Sequence, residues 1–532
     1  MPSRFYALAA TLIVFVASLV LEWVFNAHWV TWPIIVISGA LSLVGIIDVT
    51  QTKQAIRRNY PILSHFRFFF EYIRPEIRQY FIESDHEAAP FSRADRSLVY
   101  QRAKRDSDKR PFGTQLDVYE AGYEWINHSI APAEIASNDF RLTIGQGENA
   151  YSASVFNISA MSFGALSANA VRALNRGAKD GGFAHDTGEG SISRYHREHG
   201  GDLIWEIGSG YFGCRTADGK FDPVRFAEQS RDPQVKMVEL KLSQGAKPGH
   251  GGLLPGSKVT AEIAEARGVP IGVDCVSPAK HSVFSTPIEM LEFIAKMREL
   301  SGGKPAGMKL AIGHPWEFFA LAKAMVKTGI TPDFIVVDGS EGGTGAAPVE
   351  FTDHVGVPLR EALLLVHNTL VGIGMRDRVK VGASGKLVSA FDIARTMAMG
   401  ADWCNSARGF MFAVGCIQAQ TCHTGNCPTG VTTQDTMRQR ALVVPDKATR
   451  VTAFHKSTMH ALGELVAAAG LSHPNQLKPE HIIRRISTTE VTSLATLYKF
   501  VKPGELLSES SSHRVFAYYW ERSSADSFAL VH

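Results

Sequence analysis

The sequence predicts an α/β protein built on a parallel (β/α)8 TIM barrel, and three observations carry that reading. Between residues 155 and 407, short apolar runs recur, each closed by a Gly- or Ser-rich turn. Longer amphipathic stretches separate most of them, at 257–266, 286–300, 315–327 and 388–399 for example. The whole alternation occupies about 250 residues, the usual size of such a barrel. The candidate strands are 155–159, 183–187, 235–240, 270–275, 307–311, 333–337, 378–382 and 402–405. An open doubly wound sheet is the alternative architecture.

The chain of 532 residues can bury a large core and holds more than one structural unit. A net charge of +3 with 20% charged residues gives no global basic field, which argues against nucleic acid as a partner. Cys214, Cys275 and Cys404 are scattered singly, so a reducing cytosol suits the chain better than a disulfide framework.

In chain order, the first element is a pair of apolar runs. Residues 5–25 are apolar except for Thr11, Ser18 and Glu22, and residues 30–47 form the second run. Each is long enough, or nearly so, to cross about 30 Å of hydrocarbon as a helix. Arg4 precedes the first run, Lys53, Arg57, Arg58 and Arg67 follow the second, and the link at 26–29 has no Lys or Arg. Both ends are therefore expected in the cytoplasm, in a multi-pass protein of the inner (plasma) membrane. A cleaved signal peptide also starts with a basic residue and an apolar stretch, but the second run directly behind the first argues against it. From 53 to 80, basic residues alternate with aromatics such as Phe66, Phe69, Phe70 and Tyr72, as in a segment lying on anionic headgroups. The polar run 85–110 reads as a linker or surface arm. The expected organisation is a transmembrane hairpin (1–50), a juxtamembrane segment and linker (51–112), the barrel (113–415), a cysteine loop (416–434) and a C-terminal helical extension (435–532).

In such a barrel, function sits in the residues just after each strand. These include Ala160-Met161-Ser162, Glu189, the stretch Lys241-Leu242-Ser243-Gln244-Gly245-Ala246-Lys247, and Lys309. The sixth candidate strand leads to Gly342-Gly343-Thr344-Gly345, the seventh to Ser384-Gly385 and the eighth to Arg408-Gly409. Loops after strands seven and eight commonly bind phosphate. Amides of Ser384, Gly385 and Gly409, with Arg408 as countercharge, could hold the phosphate of flavin mononucleotide. Gly208-Ser209-Gly210-Tyr211-Phe212-Gly213 also fits a dinucleotide fingerprint, but a turn and not a helix follows it, so it reads as structural.

The remaining cysteines, Cys416, Cys422 and Cys427, lie at C-x5-C-x4-C spacing in a loop broken by Gly425 and Pro428. Three thiolates this close can converge on one soft metal centre, and with three ligands a [3Fe-4S] cluster, or a four-iron cluster with one open corner, is the natural occupant. Zinc with His423 as fourth ligand, and buried thiols with no metal, are the alternatives.

Ser159-Ala160-Met161-Ser162-Phe163-Gly164-Ala165-Leu166, Gln244 to Gly249, Gly342 to Gly345 and the cysteine loop together resemble the FMN-binding synthase domain of glutamate synthase, over residues 149–434. The resemblance implies FMN, a [3Fe-4S] cluster and reduction of an imine made from 2-oxoglutarate, or a related keto acid, and ammonia. It implies that Ala160, Met161 and Ser162 line the flavin, with Gln244 and Lys309 on its polar edge and ribityl chain. Lys247 would then pair with a substrate carboxylate and Glu189 would be a pocket acid, making Glu189, Lys247 and Ser162 the catalytic set. A surface salt bridge is the plain alternative for Glu189. Ferredoxin or a separate reductase subunit would supply electrons. Two departures stand out: His250 and Leu253 replace the Glu and Gln of the family pattern, and an apolar Leu253 would leave the acid one partner short. The alternative function is a non-catalytic, membrane-tethered redox-sensing or scaffold subunit. Residues 441–470 read as a packing helix, and a homo-oligomer is compatible with the C-terminal stretch.

Overall fold

Eight parallel strands close into a barrel in the computed structural model, which describes residues 2–86, 89–508 and 513–532. They are β1 (Phe156–Ile158), β2 (His185–Asp186), β3 (Leu203–Ile207), β4 (Val235–Lys241), β5 (Ala306–Leu310), β6 (Phe334–Asp338), β7 (Lys380–Ser384) and β8 (Trp403–Ser406). Each pairs with the next in sequence, and β8 pairs with β1.

One strand differs from the sequence reading. The third barrel strand is Leu203–Ile207, with all five residues buried, and the expected strand at 270–275 is not in the barrel. Instead Cys275–Ser277 pairs antiparallel with Gly252–Leu254 in a hairpin inserted after β4. Its neighbours Ile271 and Val273 are exposed, so their apolar character reflects no core position.

Side chains alternate across a strand, so every second residue points into the barrel. Ile204, Met237, Phe334, Val336 and Trp403 form the floor, sealed by Ile144, Tyr151 and Ala153 of the hairpin Arg141–Ile144 and Tyr151–Ser154. Continuing two residues further along the same strands gives Glu206, Glu239 and Asp338. The floor is thus apolar and the upper layers are charged.

The connecting helices carry ordinary start signals. Ser167 accepts from Ala170 N ahead of Ala168–Gly181, and Thr286 forms a capping box with Glu289 ahead of Pro287–Leu300. Helix Val444–Ala468 packs on Ala168–Gly181, where Thr452 Oγ1 donates to Gly177 O at 2.9 Å. The C-terminal region also contributes strands. Ile482–Arg485 lies between Glu124–Ile126 and Val491–Ser493, and half-buried Glu124 accepts from Arg360 at 2.7 Å and from Arg395 at 3.0 Å. Within the run expected as a linker, Arg93–Lys104 is helical, with Val99 and Ala103 buried.

The chain forms two units, Met1–Arg93 and Ala94–His532. In the first, Tyr6–Phe25 and His28–Thr50 are helices long and apolar enough to cross a membrane. Helix Ser64–Ile77 follows, with Phe66, Phe69, Phe70 and Tyr72 exposed. Its start is fixed by Asp48, which accepts from Ile62 N at 3.0 Å and contacts His65 Nε2 at 2.9 Å.

Candidate active site at the C-terminal mouth of the barrel

A cleft opens at the ends of β3 and β4. Glu189, Lys241, Gln244, Lys247 and His250 line it, together with Ser209 and Ser277. Lys241 is at its centre: Nζ is 3.2 Å from Glu189 Oε2, donates to Gln244 Oε1 at 3.1 Å, and is 3.7 Å from Glu206 Oε1. Lys247 Nζ reaches Gly251 O at 3.5 Å. Burial would raise the Glu189 carboxyl, but the Lys241 ammonium, with Arg267 and Lys247 behind it, outweighs that and holds it below the usual range. Burial lowers Lys247.

The loop between β4 and the inserted hairpin folds tightly over β6. Gly245 N donates to Asp338 Oδ2 at 2.8 Å, and Asp338 also accepts from Ser384 Oγ. A Cβ at Gly245 would stand 1.8 Å from Gly339 O, so only glycine allows this approach.

Below the cleft, Lys309 is buried, with Nζ 3.2 Å from Glu206 Oε2. Burial would lower this ammonium, but Glu206, with Asp338, Asp186 and Glu239, holds it well above its ordinary value. Ser162 and Met161 do not line the cleft. Their backbone packs against Gly188, where a Cβ would come within 2.6 Å of Ser162 N, on the loop that carries Glu189. Ala160 is half-buried beside them.

The loops after β6, β7 and β8 meet on the other side of the mouth. Arg408 Nη2 donates to Thr344 O at 2.9 Å, and Nε lies 3.5 Å from where a Cβ at Gly343 would be. Gly342 faces Asp338, Gly385 backs onto Leu359 and Glu341, and Gly409 is held against Ser406 and Phe454. Bare glycine backbone next to one guanidinium suits a phosphate.

The cysteine loop borders this side. A Cβ at Gly345 would lie 3.8 Å from Cys422 Cβ, and Tyr100 Oη donates to Cys416 O at 2.7 Å. Cys416 and Cys427 are buried and Cys422 is half-buried. Burial pushes the Cys416 thiol up; at Cys427, bonds from Thr429 and Thr432 overcome burial and bring the thiol down to about 7. Among the described residues, the one set of three such ligand side chains with atoms within 4.8 Å of each other is Asp186, Glu206 and Glu239. The three thiols are therefore more widely spread than a single zinc ion needs, since bonds of about 2.3 Å put its sulfurs about 3.8 Å apart.

Lys241, the central cation, stands in the sequence only as a strand-end residue without a role, and Asp186, Glu206 and Glu239 beneath it carry none there either. The available signal was a charge at the C-terminal end of a strand whose other residues are apolar, as in Leu203–Ile207.

Fold and site define a (β/α)8-barrel protein with a charged cleft at its C-terminal mouth and a three-cysteine loop beside it. Residues 134–472 match the conserved region in glutamate synthase, and the chain belongs to that family. It is 39% identical over 500 residues to the glutamate synthase large subunit-like protein YerD of Bacillus subtilis (strain 168), covering 86% of this chain and 95% of that one. It is 34% identical to an archaeal-type glutamate synthase (NADPH) of Thermotoga neapolitana, over 60% of each chain. Among solved structures, a mutant flavocytochrome b2 with pyruvate bound aligns with a TM-score of 0.42 and 12% identity, covering 84% of this chain and 91% of that one.

Proposed function

We propose that this chain is a membrane-tethered, flavin- and iron-sulfur-dependent oxidoreductase. It would reduce the imine formed from 2-oxoglutarate, or a related 2-keto acid, and ammonia to an amino acid such as L-glutamate. The observation that carries this reading is the meeting of Lys247 and Glu189 in one cleft, beside glycine-rich loops served by Arg408.

FMN would be held by Gly342, Gly343, Ser384, Gly385, Arg408 and Gly409 at its phosphate and by Lys309 and Gln244 further in, with Cys416, Cys422 and Cys427 carrying a [3Fe-4S] cluster. When bound, these groups supply hydride for the imine carbon and a path for single electrons from ferredoxin or a reductase subunit. The protein's own residues do the rest. The Lys247 ammonium pairs with the acid's carboxylate in a partly desolvated cleft. Glu189, kept ionised by Lys241, takes the proton that ammonia loses as its nitrogen bonds to the carbonyl carbon and hands it to the C2 oxygen, which becomes a hydroxyl; ionised again, it faces the positive charge of the iminium once water has left. Ser162 and Met161 support the loop that carries Glu189.

Leu253 is 59% exposed and does not line the cleft, so its replacement of Gln removes no cleft contact and 2-oxoglutarate stays the first substrate to try. The two N-terminal apolar helices and the exposed aromatics of Ser64–Ile77 support attachment to the inner face of the plasma membrane. Absorption spectra of the purified protein test the cofactors. A flavin band over broad iron-sulfur absorption is expected, and a colourless folded protein would contradict it.

A further inference from the structure

A ladder of charged side chains runs from the middle of the barrel to the cleft. Asp186, Glu206 and Glu239 are each 1% exposed, with carboxylate oxygens within 4.8 Å of one another. Glu206 contacts Lys309 on one oxygen and Lys241 on the other, and Lys241 contacts Glu189 in the cleft. The groups facing the trio are Asp186 from β2, Glu206 from β3, Glu239 and Lys241 from β4, Lys309 from β5 and Asp338 from β6. Strand register enforces the arrangement, since Glu206 stands opposite Glu239 and Lys309 opposite Lys241.

Three carboxylates here are balanced by Lys309 and by a Lys241 that Glu189 shares. Glu206 Oε1 has the Lys241 ammonium at 3.7 Å, while Glu239 Oε1 is buried with no hydrogen-bond partner among the described residues. An unpartnered carboxylate oxygen facing other carboxylates away from water is what a shared proton satisfies. A divalent cation would meet the two ammonium groups already placed on Glu206, so a proton fits better. Burial, reinforced by the neighbouring carboxylates, pushes Asp186 and Glu239 up.

We propose that Asp186, Glu206 and Glu239 store a proton and deliver it through Lys241 to Glu189, which passes it to the hydroxyl group that leaves as the imine forms. This rests on the reading of the function given above. Glu239 gives its proton to Glu206. Lys241 gives one proton to Glu189, takes one from Glu206, and ends as the ammonium it began as. Glu189 then protonates the hydroxyl on C2 of the ammonia adduct. The C2–O bond breaks, water departs, and the nitrogen lone pair closes the C2–N double bond. No electrons are exchanged, and solvent restores the proton through Glu189 when the cleft empties. The store matters because a bound acid covers Glu189 from the solvent side.

Infrared spectra of the full chain, with glutamate labelled by carbon-13 at the side-chain carboxyl, test the store independently of turnover. At pH 7 a carboxylic-acid carbonyl band should move on labelling, vanish in Glu239→Gln and persist in Glu189→Gln. Absence of a label-sensitive band in wild type, or its persistence in Glu239→Gln, overturns the store. If Glu239→Gln does not fold, Asp186→Asn should displace the band, and an unmoved band overturns the proposal. Delivery is read from turnover with 2-oxoglutarate and ammonia, where Glu239→Gln should lower kcat at least about tenfold with KM changed less than about twofold. An unchanged kcat overturns delivery. If wild type makes no product from these substrates, the functional reading fails, while the infrared band still decides the store.

Discussion

The Lys241 ammonium stands 3.2 Å from Glu189 Oε2 and holds that carboxylate ionised against the pull of burial. Removing the ammonium leaves burial as the larger influence. In Lys241→Met the Glu189 midpoint, followed by carboxyl carbon-13 NMR, should rise above the usual carboxylate range. A midpoint that stays low would mean another group sets it.

Lys247 is the cleft cation left to pair with a substrate, since among the described residues the one hydrogen bond of its ammonium is to Gly251 O at 3.5 Å. Lys247→Met should weaken binding of an anionic acid by about 2–5 kcal/mol while the flavin spectrum stays. Calorimetric titration with 2-oxoglutarate measures this. Affinity equal to wild type would remove Lys247 from the site.

Burial lowers Lys247, which gives a sign to the pH dependence. The charged form binds the anion, so affinity should be full at neutral pH and fall as pH rises through the lowered midpoint. That fall should come below the pH at which an ordinary lysine, near about 10.4, would lose its charge. The same titration at stepped pH checks it.

Gly245 allows the β4 loop to rest on Gly339 O. Gly245→Ala should cost about 1–3 kcal/mol of stability, measured by denaturant unfolding, and should also displace Gln244 and Lys247 and so weaken acid binding. Unchanged stability and binding would mean that the loop has room to shift.

Much of this site was legible because barrel architecture puts function at strand ends, where Glu189, Lys247 and Lys309 stand in the sequence. What stayed hidden has physical causes. Leu203–Ile207 leads straight into a glycine-rich turn that fits a fingerprint, and 270–275 has the apolar pattern of a strand although Ile271 and Val273 lie exposed on an insertion. Glu206 and Glu239 resemble the polar side of a half-solvated strand; only closure of the barrel turns that side inward.

Cys422, of the loop that also carries Cys416 and Cys427, borders Gly345. Cys422→Ser should bring iron and inorganic sulfide close to zero while flavin content changes little. Iron content equal to wild type would mean that these thiols are not ligands.

The central claim, an imine-reducing barrel that works on a 2-keto acid, is tested most directly by one anaerobic experiment. The purified full chain is reduced, then mixed with 2-oxoglutarate and ammonia while flavin absorbance is followed and glutamate assayed. The account predicts flavin reoxidation that needs both reagents, with about one glutamate formed per flavin reoxidised, and its loss in Lys247→Met. A flavin that stays reduced with both reagents present, or reoxidises with no amino acid formed, would contradict it.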